Sequence, residues 1–171
     1  MTPQIRCLNA KFGETFAAYQ GDCVDILSQF PDRSIDFSVY SPPFANLYIY
    51  SESLADMGNC QNDGEFFEHY AFLLKELYRC MRPGRICAVH CKDLVYYKNQ
   101  EGTAGLRDLP DEIIRCHEAA GFDYHSRVTI WKDPVIEMQR TKAHGLLYKQ
   151  LRTDSTFSRQ GMADYLLMFR K

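Results

Sequence analysis

The chain has 171 residues, of which 46% are hydrophobic and 25% charged; this balance supports one globular domain with a buried core and excludes disordered or fibrous architectures. No apolar run approaches the roughly 20 residues that cross a bilayer, and the opening MTPQIRCLNAKFGETF lacks the apolar stretch of a secretory signal, so a cytoplasmic location is expected. The formal charge of -2 argues against a globally basic nucleic-acid binder, yet residues 1–126 carry a net -7 and residues 127–171 a net +5, so the last quarter alone can form a basic surface.

In chain order, Thr15 to Gln20 (TFAAYQ) reads as a short strand ending at Gly21-Asp22, and Cys23 to Phe30 as an amphipathic helix. Ile35 to Tyr40 (IDFSVY) is predicted as a buried strand, stopped by Pro42-Pro43 because neither proline can donate to a ladder. The polar stretch from Ala45 to Gly64 reads as a long loop, a length that usually serves binding. From Glu65 to Met81 the spacing is helical, with Phe66, Phe67, Tyr70, Leu73, Leu74, Leu77 and Tyr78 on one face, and Pro83-Gly84 is expected to close the helix. Arg85 to Cys91 reads as a strand, Asp108 to Ala120 as a helix with an Asp-Leu-Pro start and Gly121 at its end, and Tyr124 to Trp131 as a further strand. A basic insertion, Lys132 to Gly161, with a helix predicted over Lys142 to Leu151, precedes a last strand from Tyr165 to Phe169. No repeat or linker interrupts the chain, so a single domain over 1–171 is expected, and the alternation of strands and helices argues an α/β fold with a mostly parallel sheet.

Ligands of such sheets sit beyond the carboxyl ends of the strands, which directs attention to Ser41-Pro42-Pro43-Phe44, directly after IDFSVY. Adjacent prolines stiffen the main chain and leave carbonyls with no amide hydrogens beside them, an acceptor-only edge suited to an amino group. The exocyclic amine of cytosine or adenine is a poor nucleophile because its lone pair is delocalised into the ring. The Ser41 side chain and the Pro42 carbonyl together can hold both amine hydrogens and favour a pyramidal nitrogen aimed at an electrophilic methyl group. Phe44 would stack on a base swung out of its duplex.

With Gly21-Asp22 upstream and LLKELYRCMRPGRICAVH downstream, this motif resembles the S-adenosylmethionine-dependent DNA amino-methyltransferases, over roughly residues 15 to 131. The resemblance implies a Rossmann-like methyltransferase fold with an antiparallel last strand and a sheet of order 3-2-1-4-5-7-6, in which Thr15 to Gln20 would be the third strand and Ile35 to Tyr40 the fourth. It further implies S-adenosylmethionine as cofactor, double-stranded DNA with a flipped base as partner, and catalysis by Ser41, Pro42, Pro43 and Phe44. Asp22 and Ser41 would contact the cofactor, and the serine form of the motif favours cytosine N4 over adenine N6. The basic insertion, residues 132–161, matches a DNA-facing region in position, with Arg140, Lys142, Lys149, Arg152 and Arg159 as phosphate contacts.

The family's Phe-x-Gly-x-Gly cofactor loop, with its strand and helix, has no counterpart among these residues. The fold is therefore expected to be incomplete, with an exposed apolar edge at Ile35 to Tyr40 that a missing half or a second chain would cover. A non-catalytic or partner-dependent DNA-binding half stands as the alternative to an autonomous enzyme, and methylation of RNA or of a protein amide as a lesser one. Asp22 equally fits a helix N-cap. The seven cysteines lack a disulfide framework and read as reduced thiols. Cys80, Cys87, His90 and Cys91 have no paired Cys-x-x-Cys, and a strand would send alternate residues to opposite faces, so no metal site is expected. His117 and His125 read as ordinary helix-end and strand residues, and Trp131 as a core or rim anchor.

Overall fold

The computed structural model describes residues 5–43, 50–53, 55–96, 102, 105–133, 136 and 163–171. Two strands, β1 (Asn9–Phe12) and β2 (Ala17–Gln20), form an antiparallel hairpin with Asn9 opposite Gln20 and Phe12 opposite Ala17. The strand foreseen in TFAAYQ thus exists, but it pairs with its sequence neighbour and not within the main sheet. Helix α1 (Cys23–Ser28) follows, capped by Asp22, whose Oδ1 accepts from the amides of Val24 and Asp25.

The main sheet contains β3 (Ile35–Tyr40), β4 (Met81–Cys91), β7 (Asp123–Ile130) and β8 (Asp164–Arg170), in the order β3-β4-β8-β7. Only β3 and β4 run parallel; β8 lies antiparallel to both β4 and β7. The sheet is therefore mixed, not mostly parallel, while the last strand is antiparallel as expected. The order corresponds to the 4-5-7-6 part of the expected arrangement. The strands that would make the sheet mostly parallel belong to the other part, which β2 does not supply. A second, two-stranded ribbon joins β5 (Leu94–Tyr96) to β6 (Gly105–Arg107).

Helices α2 (Asp63–Cys80) and α3 (Leu109–Ala119) cover one face of the sheet. Asn62 caps α2 by accepting from the Glu65 amide, and the Glu65 carboxylate returns to the Gln61 amide. The inward stripe of α2, including Phe66, Tyr70, Leu74 and Leu77, packs in one cluster with Cys87, Val89, Leu167 and Phe169 of the sheet. Burying a side chain such as Leu74 stabilises the fold by about 1.5–3 kcal/mol.

Pro83-Gly84 do not close α2, which ends at Cys80 with the Met81 amide on the Leu77 carbonyl. They lie in a bulge of β4, where the register moves from Ile35 opposite Met81 to Phe37 opposite Ile86. Gly84 adopts φ +78° there, and its amide donates to the Lys171 carbonyl at 2.5 Å. Gly121 does end α3, at φ +103°, with the Tyr78 ring 3.1 Å from where a Cβ would stand.

The alternation of β-strand side chains sends a second apolar set to the opposite face: Phe37 and Val39 of β3, Ile86 and Ala88 of β4, Leu166 and Met168 of β8, Val128 and Ile130 of β7. Among the described residues no helix packs on this face, and Phe37, Val39 and Val128 are 57%, 63% and 51% exposed. The outer edge of β3 is unpaired by any described strand.

Candidate active site

Tyr40, the last residue of β3, leads directly into Ser41-Pro42-Pro43 at the carboxyl end of the strand. Pro42 is buried, Pro43 half-buried and Ser41 exposed. The Ser41 hydroxyl donates to the His90 carbonyl on the neighbouring β4, 3.0 Å away. A hydroxyl has one hydrogen, so this bond turns Ser41 Oγ into a pure acceptor for anything else that approaches.

A cavity of about 1110 Å³ opens at this turn. Ser41, Pro42 and Pro43 line it together with Gly21 and Asp22, so the two motifs, some twenty positions apart in the chain, share one space. Its apolar walls come from Ile26 and Leu27 of α1 and Leu73 and Leu77 of α2, and its floor includes Ser38 and Tyr40 of β3. Asp22 lines this space while its Oδ1 caps α1.

Sequence reasoning passed over three contributors: Tyr40, the Cys7-Leu8 segment, and the short 3-10 turn Met57–Asn59 with its cap Asp56. The alternation of IDFSVY already placed Tyr40 on the face of Ser38, and Asp56-Met57-Gly58 has the form of an Asx turn. Burial works to raise the Asp56 carboxyl, but hydrogen bonds from the Gly58 amide and the Ser51 hydroxyl outweigh it and hold the group below the usual carboxylate range.

Beneath the turn, the Tyr40 hydroxyl meets that of Tyr70 at 2.7 Å and His117 Nε2 at 3.3 Å. His117 is not an ordinary helix-end residue: it is 0% exposed, its ring stacks on Phe169 with centroids 3.8 Å apart, and Nδ1 lies 2.8 Å from the Ile113 carbonyl. Burial pulls its pKa down to about 4, against the opposing hydrogen bond to Ile113, so the ring is neutral at physiological pH. Burial likewise lifts the Tyr40 and Tyr70 hydroxyls well above their ordinary range.

On the open face, Asp164 Oδ2 accepts from His90 Nε2 at 3.0 Å and from Lys132 Nζ at 2.5 Å. Burial would raise this carboxyl, and its two partners outweigh that and lower it. Cys87 and Cys91 face α2 and α3, away from His90, and burial pushes both thiols up to about 12. Among the described residues no cluster of three metal-ligating side chains forms. His125 is exposed beside Ser126, and Trp131, 73% exposed at the end of β7, is a rim and not a core residue. Phe44, the phosphate contacts Arg140, Lys142, Lys149, Arg152 and Arg159, and the helix foreseen over 142–151 lie outside the described residues.

No protein-family model and no curated protein matches the chain. Solved structures do. The Thermus thermophilus protein TTHA0409, assigned as a DNA modification methylase and solved with S-adenosyl-L-methionine, is 20% identical with a TM-score of 0.60, over 88% of this chain and 53% of its own. The PvuII DNA methyltransferase, cytosine-N4-specific, is 20% identical with a TM-score of 0.59, over 89% of this chain and 48% of its own. A SAM-dependent methyltransferase from Archaeoglobus fulgidus is 13% identical with a TM-score of 0.50, over 92% and 68%. At such identities the likeness is one of fold, the α/β fold of Rossmann-like methyltransferases. The chain spans about half the length of the two DNA methyltransferase structures.

Proposed function

We propose that this chain forms the amine-gripping part of an S-adenosylmethionine-dependent DNA methyltransferase, acting on an exocyclic base amine with cytosine N4 preferred over adenine N6. The observation that carries the reading is the Ser41-Pro42 turn, which opens on a cavity shared with Gly21-Asp22 and whose hydroxyl hydrogen is already committed to the His90 carbonyl. The fold likeness to the cytosine-N4-specific PvuII enzyme supports it.

The cavity suits the cofactor in size and chemistry, combining carboxylates at Asp22 and Asp56 with apolar walls on α1 and α2. When bound, S-adenosylmethionine supplies an electrophilic methyl group. Asp22, with Oδ1 committed to the α1 cap, offers Oδ2 to a hydroxyl of the adenosyl part. Ser41 Oγ and the Pro42 carbonyl would each accept one hydrogen of the target amine, draw the nitrogen toward a pyramidal shape and orient its lone pair toward that methyl group, and the surplus proton of the methylated amine would pass to water. No covalent enzyme intermediate is needed. Phe44 stacks on the extruded base, and Arg140, Lys142, Lys149, Arg152 and Arg159 hold phosphates.

Among the described residues, the exposure of Phe37, Val39 and Val128 on one face of the sheet favours a second reading, a DNA-binding half that gains the cofactor only with a partner. Calorimetry of the 171-residue chain with S-adenosylmethionine, alongside duplex DNA binding and transfer of labelled methyl, separates the two. Micromolar cofactor binding with transfer supports the enzyme; DNA binding without cofactor heat supports the half. Loss of both rejects the methyltransferase reading.

A further inference from the structure

The three polar groups under the turn, Tyr70 and His117 buried and Tyr40 half-buried, have only one self-consistent arrangement of protons. The Ile113 carbonyl can only accept, so His117 Nδ1 carries the hydrogen of the neutral ring and Nε2 is a bare acceptor. Among the described residues, the hydroxyl within reach of Nε2 is that of Tyr40, which therefore donates to it. The Tyr40 oxygen is then left to accept, and Tyr70 donates to it at 2.7 Å. In the reverse order Nε2 would have no donor and the Tyr70 hydrogen no acceptor among the described residues, a cost the interior penalises.

The same groups are mechanically pinned. Phe169 stacks on the His117 ring, Phe122 and Tyr70 approach it at 5.5 and 5.8 Å between centroids, and all three aromatic neighbours are buried. Tyr40 is the one member that touches the cavity, and it directly precedes Ser41. We infer that His117, on α3, is a positioning residue that fixes the direction of the Ser41-Pro42 turn through Tyr40, with Tyr70 completing the chain. This assignment rests on the reading of Ser41-Pro42 as the amine-gripping turn, and it gives that turn a support outside the loop itself.

The experiment reads the turn directly and needs no activity. In the nitrogen-15-labelled chain, His117→Leu and Tyr70→Phe each shift the Ser41 amide resonance. His117→Gln, which keeps an acceptor near the Nε2 position, restores it, and Arg115→Ala, on the exposed side of α3, leaves it in place. An unmoved Ser41 resonance in both His117→Leu and Tyr70→Phe overturns the assignment, even if both lower the melting temperature. Should His117→Leu fail to fold, Tyr70→Phe decides alone. Where methyl transfer is measurable, the same two variants lower kcat about tenfold or more while the cofactor KM stays within about twofold, and His117→Gln recovers most of the loss. Where the chain alone shows no transfer, the Ser41 resonance decides the positioning role by itself, so failure of the one reading stays distinguishable from failure of the other.

Discussion

Ser41 Oγ lies 3.0 Å from the main-chain oxygen of His90, so a residue of one strand's exit is oriented by the backbone of the next strand. Because that partner is a carbonyl, no side-chain substitution at position 90 removes the acceptor, and the orientation of Ser41 depends on the β3–β4 register.

Ser41→Ala removes an acceptor that matters most when the amine becomes tetrahedral. In the fully assembled enzyme methyl transfer should fall by about a hundredfold, mainly in kcat, with the melting temperature unchanged because Ser41 is exposed. Steady-state kinetics beside a thermal melt check this; normal turnover removes Ser41 from the chemistry. Pro42→Ala is expected to act in the same direction.

His117 carries a pH dependence of stability whose sign follows from its depressed pKa. Unfolded, the ring takes up a proton near pH 6.5, whereas folded it does so near 4. The unfolded state therefore binds more protons between those values, so stability is full above pH 6.5 and declines as pH falls toward 4, by on the order of 3 kcal/mol from this group. Urea melts at pH 7 and pH 5 should show about 2 kcal/mol of this loss in the wild type and less in His117→Gln. Equal losses would mean the ring titrates normally.

Replacing Lys142 and Lys149 by Gln should weaken duplex DNA binding at every sequence and reduce the slope of log affinity against log salt by about two. Titrations at several salt concentrations measure it. An unchanged slope takes phosphate contact away from these two residues, whereas a change of site preference would give them a different role.

Val39→Lys and Val128→Lys place charge on the open apolar face at positions already more than half exposed. Each should cost less than about 0.5 kcal/mol of stability and reduce concentration-dependent association in sedimentation velocity. A large loss of stability would mean that the face is covered.

The parts of this architecture that were legible in the sequence are those governed by local rules. IDFSVY alternates and meets two prolines, and β3 ends where they predict; the helical spacing from Phe66 to Tyr78 and the Asp108 and Gly121 caps define α2 and α3 to within two residues. Gly84 misled because a left-handed glycine soon after a helix looks the same whether it caps the helix or lets a strand bulge. NAKF was missed as a strand although Leu8, Ala10 and Phe12 alternate with Asn9 and Lys11, because the run is only four residues long and all four are exposed. The cavity was half legible. Gly21-Asp22 and Ser41-Pro42 stood out as motifs, but Leu8 and Met57 come from segments whose position is set only by tertiary packing. His117 was read as ordinary because nothing within a few residues reports that Tyr40 and Phe169 meet it.

Ile130 and Asp164 face each other across the β7–β8 ladder, and Lys132 binds the Asp164 carboxylate just past that pair. The polypeptide between them thus departs from and returns to a single clasped point, and closing a longer or shorter detour there changes the entropy by only about 0.6 kcal/mol per doubling of its length. The clasp is therefore made by the strands themselves: Ile130, Lys132 and Asp164 hold the two ends together whatever number of residues separates them.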